Sequence, residues 1–218
     1  MKVFYRDENV IVYQGDSAPL IQELQKDKSV LCLTDPPYGV GLNTSYGRRG
    51  GAYPMGPKTF PRVIGDSKPF DPAPLLHFER AVIFGGDHFH HLLPPSGQWL
   101  IWDKRRGVVP PRCQADCELA WSSREGPARI FRHLWDGFLR DSERGQKRIH
   151  PTQKPIELFR WIISFFPETE VVFDPYMGSG SSLIAAKELK LKAIGVEISP
   201  DYCAAAVERL TRKERLAA

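Results

Sequence analysis

Five consecutive residues, Val30, Leu31, Cys32, Leu33 and Thr34, carry no charge and are stopped at once by Asp35-Pro36-Pro37-Tyr38. The run does not alternate between apolar and polar, so it does not fit a strand with one wet face, and it is too short for a helix. It predicts a strand covered on both faces, as in parallel sheets flanked by helices. Further short apolar runs at residues 9–14, 81–84, 98–102, 170–173 and 192–196 alternate with helical patterns at 19–26, 89–93, 155–166, 181–189 and from 200 to about 216. That alternation predicts the α/β class, with helices on both faces of the sheet. The 218 residues, 42% of them hydrophobic, supply one sizeable core and predict a single domain spanning residues 1–218.

Charge excludes little. A formal net charge of +4, from 30 Lys and Arg against 26 Asp and Glu, tolerates nucleic acid without demanding it. The longest apolar run, Trp161-Ile162-Ile163-Ser164-Phe165-Phe166, is far shorter than a bilayer requires, and Met1-Lys2-Val3-Phe4-Tyr5-Arg6 lacks a signal-peptide core. A soluble, intracellular protein with no membrane partner is expected. Cys32, Cys113, Cys117 and Cys203 match neither a zinc ribbon nor a disulfide framework, and the Asp87, His88, His90, His91 cluster lacks diagnostic ligand spacing, so no metal is expected.

Glycine and proline crowd residues 39–74, which predicts a long mobile loop, either a substrate gate or a segment without fixed structure. Lys104, Arg105 and Arg106 follow the strand at 98–102 and are candidates for DNA phosphate contact. Residues 108–148 look irregular, with arginines interleaved among Trp121, Phe131, Trp135 and Phe138. Such interleaving suits a nucleic-acid surface, and equally a solvated basic face over core aromatics.

Two segments carry chemistry. Phe173-Asp174-Pro175-Tyr176-Met177-Gly178-Ser179-Gly180-Ser181 is a Gly-rich turn between an apolar strand and a helix, where backbone can approach a ligand closely. Glu197 ends the next strand, 19 residues after Gly178, placed to accept hydrogen bonds from a ribose. A dinucleotide oxidoreductase is the rival, weakened by the missing third glycine. The other segment is Asp35-Pro36-Pro37-Tyr38. An exocyclic amine of a base is a poor nucleophile, because its lone pair is delocalised into the ring. Asp35 can accept one N–H and the Pro36 carbonyl the other, Pro36 and Pro37 fix the acceptors in advance, and Tyr38 offers a ring for an extruded base.

Together these motifs resemble the amino-methyltransferases of DNA, specifically their beta class, in which the Asp-Pro-Pro-Tyr segment comes first, a target-recognition region follows and the cofactor segment comes late. His150-Pro151-Thr152-Gln153-Lys154-Pro155 matches a third element of that family, and the resemblance covers residues 10–210. It implies a Rossmann-like, S-adenosylmethionine-dependent methyltransferase fold with a mixed, mostly parallel sheet. It also implies that Phe173, Asp174, Pro175, Gly178, Ser179, Gly180 and Ser181 frame the cofactor beside Asp35, that Glu197 and Ile198 hold its ribose end, and that Asp16 meets its adenine. Thr152 and Lys154 would face its methionine end, although an ordinary helix cap and a solvent lysine fit those two residues as well. Residues 104–148 would be a short target-recognition region. The activity so implied is methyl transfer to N6 of adenine in double-stranded DNA by base flipping. N4 of cytosine and an inactive DNA-binding module of the same fold stay open as alternatives, as do a homodimer and a cognate restriction enzyme as partners. The expected setting is the cytoplasm of a bacterial cell or a phage-infected host. Methyltransferases of RNA or protein amides usually carry Asn where Asp35 stands, which argues against them.

Overall fold

The uncharged run at residues 30–34 is a strand near the middle of a nine-stranded sheet. The computed structural model describes residues 1–46, 58–106, 115–136 and 139–217. In chain order the sheet strands are β1 (Lys2–Arg6), β2 (Val10–Gln14), β3 (Val30–Thr34), β6 (Arg80–Phe84), β7 (Gln98–Asp103), β8 (Cys117–Ser122), β9 (Arg129–Arg132), β12 (Val171–Asp174) and β13 (Lys192–Glu197). Two small hairpins, β4 (Ser45–Tyr46) with β5 (Lys58–Thr59) and β10 (Trp135–Asp136) with β11 (Leu139–Arg140), lie outside the sheet. The helices are α1 (Ala18–Leu24), α2 (Ile156–Ile163), α3 (Ser181–Glu188) and α4 (Pro200–Ala217).

Across the sheet the order is β1-β2-β13-β12-β3-β6-β8-β7-β9. The five strands from β2 to β6 are mutually parallel, and β1 and β8 run against them. Alternation along β3 explains the double burial. Leu31 and Leu33 join a core with Leu158, Ile162, Leu183 and Ala206 from α2, α3 and α4. Val30 and Cys32 face the opposite core with Leu20 and Ile21 of α1. An apolar run without alternation is what two covered faces require.

Topology fixes where a ligand can go. The connection after β3 leads to β6 on one side, and the connection after β12 leads through α3 to β13 on the other. The carboxyl ends of β3 and β12 therefore flank a switch point, where diverging loops leave a crevice. Asp35 and Asp174 stand on either side of it.

Several expectations need correction. The helix expected at 89–93 is a single 3-10 turn, His90–Leu92. The irregular stretch supplies two sheet strands, β8 and β9, so much of 104–148 is scaffold. Trp121 and Trp135 are core residues and Phe131 stacks on Trp161, so these aromatics face inward; Phe138 and Cys113 lie outside the described residues. Within 39–74, the described part is tied down: buried Asp66 accepts N–H bonds from Gly39 at 2.8 Å and Val40 at 3.2 Å, and from Leu42.

Candidate active site

A cleft of about 290 Å³ follows the carboxyl edge of the parallel strands. The β2 exit contributes Gly15, Asp16 and Ser17, the β3 exit contributes Asp35 to Tyr38, and the β12 and β13 exits contribute Pro175, Tyr176, Gly178, Glu197 and Ile198. Val63, Ile64, Gly65 and Asp66 close one side, so the glycine-rich region after Tyr38 forms part of the wall. A recess of about 30 Å³ adjoins it, lined by Asp35, Thr152, Lys154, Asp174, Gly178, Ser179 and Ser181 among others.

Glu197 is fixed by backbone donors at the turn it faces. Gly178 N–H donates to its Oε2 at 3.1 Å and Ser199 N–H to its Oε1 at 2.8 Å, so the 19-residue spacing becomes a direct contact. Burial pushes its carboxyl above the usual range, against the pull of those N–H groups. Gly178 has φ +48°, and a Cβ there would stand 3.2 Å from His150 Nε2, so both dihedral and space favour glycine. Gly180, at φ +70°, caps α3 and lines neither space. Asp16 turns its Oδ1 back to the Ala18 N–H at 3.0 Å, at the start of α1.

Asp174 is a fastening. Its Oδ1 accepts Thr34 Oγ1 at 2.6 Å and Tyr176 N–H at 3.1 Å, and its Oδ2 accepts the Ser182 hydroxyl, tying β12 to β3 and α3. Burial raises its pKa to about 6 despite these donors. Phe173, expected to frame the cofactor, is instead fully buried in the α1-side core against Phe78 and lines neither space. Its place is taken by Tyr176, two residues beyond the strand, which lines both.

Asp35 is held differently. Tyr38 donates its hydroxyl to Oδ1, and the Lys154 ammonium forms an ion pair with Oδ2. Lys154 is 4% exposed, rests 4.7 Å over the Phe84 ring, and also lies 3.0 Å from Glu118 Oε2. The ammonium expected to face a cofactor carboxylate is thus engaged by two carboxylates of the chain itself, beside the recess that it lines with Thr152. Burial raises the Asp35 pKa, the Lys154 charge opposes that, and Glu118 adds to it. Glu118, half-buried, is held down near 2 by Lys154 and Lys104 against the desolvation that burial imposes.

One face of the Tyr38 ring is stacked on His88, with centroids 4.8 Å apart and planes 23° from parallel. Gly85 abuts the same ring, leaving no room for a Cβ. The histidine cluster of the sequence does not announce the contact of His88 with Tyr38. His150, to which the motif at 150–155 assigns no role, lines both spaces. Its Nδ1 accepts the Thr152 N–H at 3.3 Å, and burial drives its pKa down to about 3. The ring is thus neutral, with its proton on Nε2 toward Gly178.

The basic run is mostly inward. Lys104 pairs with Glu118 at 3.0 Å and Arg105, 9% exposed, with Asp116 at 2.6 Å; Arg106, 53% exposed, meets Asp141 at 3.0 Å.

Comparison with known proteins agrees with this fold. The chain is 20% identical to the type II methyltransferase M2.LlaDCHI of Lactococcus lactis subsp. cremoris, over 97% of its own length and 93% of that protein. The crystal structure of the M1.HpyAVI–SAM complex superposes with a TM-score of 0.52 at 22% identity, covering 92% of this chain and 99% of that one. The PvuII DNA methyltransferase, described as cytosine-N4-specific, gives a TM-score of 0.61 at 16% identity, over 95% and 88% of the two chains. The N6/N4 DNA methylase family matches residues 98–208, half of the sequence, and the chain belongs to that family.

Proposed function

We propose that the protein methylates N6 of adenine in double-stranded DNA, using S-adenosylmethionine and drawing the target base out of the duplex. The observation that carries this is the place of Asp35: its carboxylate stands at the switch point, on the wall of a cleft whose opposite wall holds Gly178 and Glu197. M1.HpyAVI was solved as a SAM complex, and the cleft suits that ligand. Ile198, 47% exposed, and Val40 and Ile64, both more than half exposed, offer apolar surface to an adenine. Glu197 keeps acceptor capacity for ribose hydroxyls, and Nε2–H of His150 is a neutral donor beside Gly178. When bound, S-adenosylmethionine supplies a methyl group already activated by its sulfonium.

The chain's own task is to prepare the amine. Asp35 accepts an N–H and Pro36, rigid beside it, presents its carbonyl, which frees the nitrogen lone pair. As the C–N bond forms and the C–S bond breaks, the nitrogen becomes cationic, and its surplus proton leaves to the Asp35 carboxylate or to water. Adenine is favoured over cytosine because cytosine enzymes of the resembling class more often carry Ser where Asp35 stands, and because a purine gains more from an aromatic contact at Tyr38. Cytosine N4 is the second reading, favoured by the likeness to the PvuII enzyme. Modified DNA digested to nucleosides and weighed by mass spectrometry separates them. N6-methyladenine is expected to dominate; dominant N4-methylcytosine overturns the base assignment, and no methylated nucleoside at all overturns the activity.

A further inference from the structure

Glu118 belongs to none of the motifs that point to methyl transfer, yet it is the second carboxylate on Lys154. It reaches the site because β8 runs antiparallel to its neighbours. Cys117 pairs in register with Asp103 and Glu118 with Trp102, so β8 begins at the edge where the parallel strands end. Two ammonium groups flank it: Lys104 Nζ lies 3.0 Å from Oε1 on the outer side, and Lys154 Nζ lies 3.0 Å from Oε2 on the inner side. Oε2 is buried, and among the described residues no aligned hydrogen bond reaches it, so Glu118 acts on Lys154 chiefly through charge.

Charge at this point bears directly on the reaction. A cation resting on Oδ2 of Asp35 opposes the positive charge that grows on an amine as it is methylated. Asp35 and Lys154 alone would make a neutral pair. With Glu118 on its far side, the Lys154 ammonium is shared between two carboxylates and its pull on Asp35 is divided, while Lys104 on the outer side of Glu118 completes a row of four charges of alternating sign. We propose that Glu118 is a positioning residue for methyl transfer, holding Lys154 between two carboxylates so that Asp35 stays an effective acceptor for the target amine. This rests on the amine-methylation reading above.

The test uses the full chain, radiolabelled S-adenosylmethionine and DNA, with cofactor affinity measured separately by calorimetry and folding by thermal melting. Glu118→Gln keeps the side-chain shape and removes the charge; it is expected to lower kcat about tenfold or more, with the cofactor Kd and the KM for DNA within about twofold of wild type. Glu118→Asp, which restores the charge, should recover part of the rate. Adding Lys154→Met to Glu118→Gln removes the uncompensated cation, and the double variant should be faster than Glu118→Gln alone. A Glu118→Gln rate within twofold of wild type overturns the inference, as does a double variant slower than the single one or a loss of rate matched by lost cofactor affinity. A wild-type protein that methylates no DNA would instead defeat the functional reading itself.

Discussion

Strands β3 and β12 lie side by side, run parallel and each lead into an aspartate at the same crevice, half-buried Asp35 and buried Asp174, but the two carboxylates have different company. Asp174 is surrounded by short, neutral donors, the hydroxyls of Thr34 and Ser182 and the N–H of Tyr176. Asp35 is met by two long side chains, the Tyr38 phenol and the Lys154 ammonium, the latter shared with Glu118. Burial pushes both carboxyls up, but only at Asp35 does a full positive charge oppose it. Short neutral partners make a clasp between strands. Long partners can yield to a substrate, and the charge on one of them favours the ionised carboxylate, which is what an acceptor for an amine needs.

The sharpest way to break that contrast is to truncate each aspartate. Asp35→Ala is expected to cut methyl transfer by about a thousandfold or more, while cofactor affinity measured by calorimetry stays within a fewfold of wild type. Asp174→Ala should do the opposite. It leaves the Thr34 and Ser182 hydroxyls buried without their acceptor, a loss of about 3 kcal/mol of stability, seen as a lowered denaturant midpoint. If Asp35→Ala lost its fold and Asp174→Ala lost only rate, the roles would be exchanged.

Gly178→Val sharpens the contrast on the cofactor side. A branched side chain at φ +48° is strained, and its Cβ would press on His150 while the N–H that orients Glu197 shifts. The cofactor Kd should rise about tenfold or more, a change of about 1.4 kcal/mol in binding. Equal weakening of DNA binding with an unchanged cofactor Kd would show that this turn does not face the cofactor.

How much of this was legible in the sequence follows from what is local. The β3 strand and its Asp35-Pro36-Pro37-Tyr38 exit, and the turn from Asp174 to Ser181 with Glu197 beyond it, declare themselves because strand, turn and helix signals sit next to each other in the chain. The partners that give those residues their charge do not. Glu118 reaches Lys154 only through the pairing of β8 with β7, and His88 reaches Tyr38 only because β6 lies beside β3. β8 itself hid among arginines, since its buried half, Ala120, Trp121 and Ser122, lacks the alternation that marks a strand. A helix-opening lysine such as Lys154 likewise gives no hint in the sequence of two distant carboxylates.

The two aspartates should also part company with pH. Asp174 has a folded pKa raised from 3.8 to about 6, so the folded state holds more protons than the unfolded one between those values. Its contribution to stability is present below the lower value and lost as pH rises through the upper one. Relative to Asp174→Asn, the wild-type protein should therefore lose several degrees of Tm between about pH 4 and about pH 7. A constant gap between the two melting curves would show that the Asp174 carboxyl is not shifted.

The smallest effect concerns the basic run, where the same contrast between fastened and available charge recurs. Lys104, Arg105 and Arg106 are consecutive and were expected to act together on DNA phosphates, but the structure sorts them by exposure. Arg105 is nearly enclosed against Asp116, and both its backbone N–H and that of Arg106 donate to Asp103 Oδ1, at 2.9 and 2.8 Å, which fixes the turn after β7. Lys104 faces Glu118. Only Arg106 carries its guanidinium more than half exposed, and its partner Asp141 holds it at the surface, where a phosphate can compete for it. Each phosphate contact contributes about one to the slope of log binding constant against log salt, so Arg106→Ala should flatten that slope by about one and weaken DNA binding a fewfold at moderate salt. Arg105→Ala should leave the slope in place and lower the Tm instead, since it removes the partner of Asp116 and the packing of a buried side chain. Fluorescence anisotropy across a salt series, run on both variants beside a thermal melt, reads the two effects independently. A slope that falls equally for both would mean that Arg105 leaves Asp116 for the DNA.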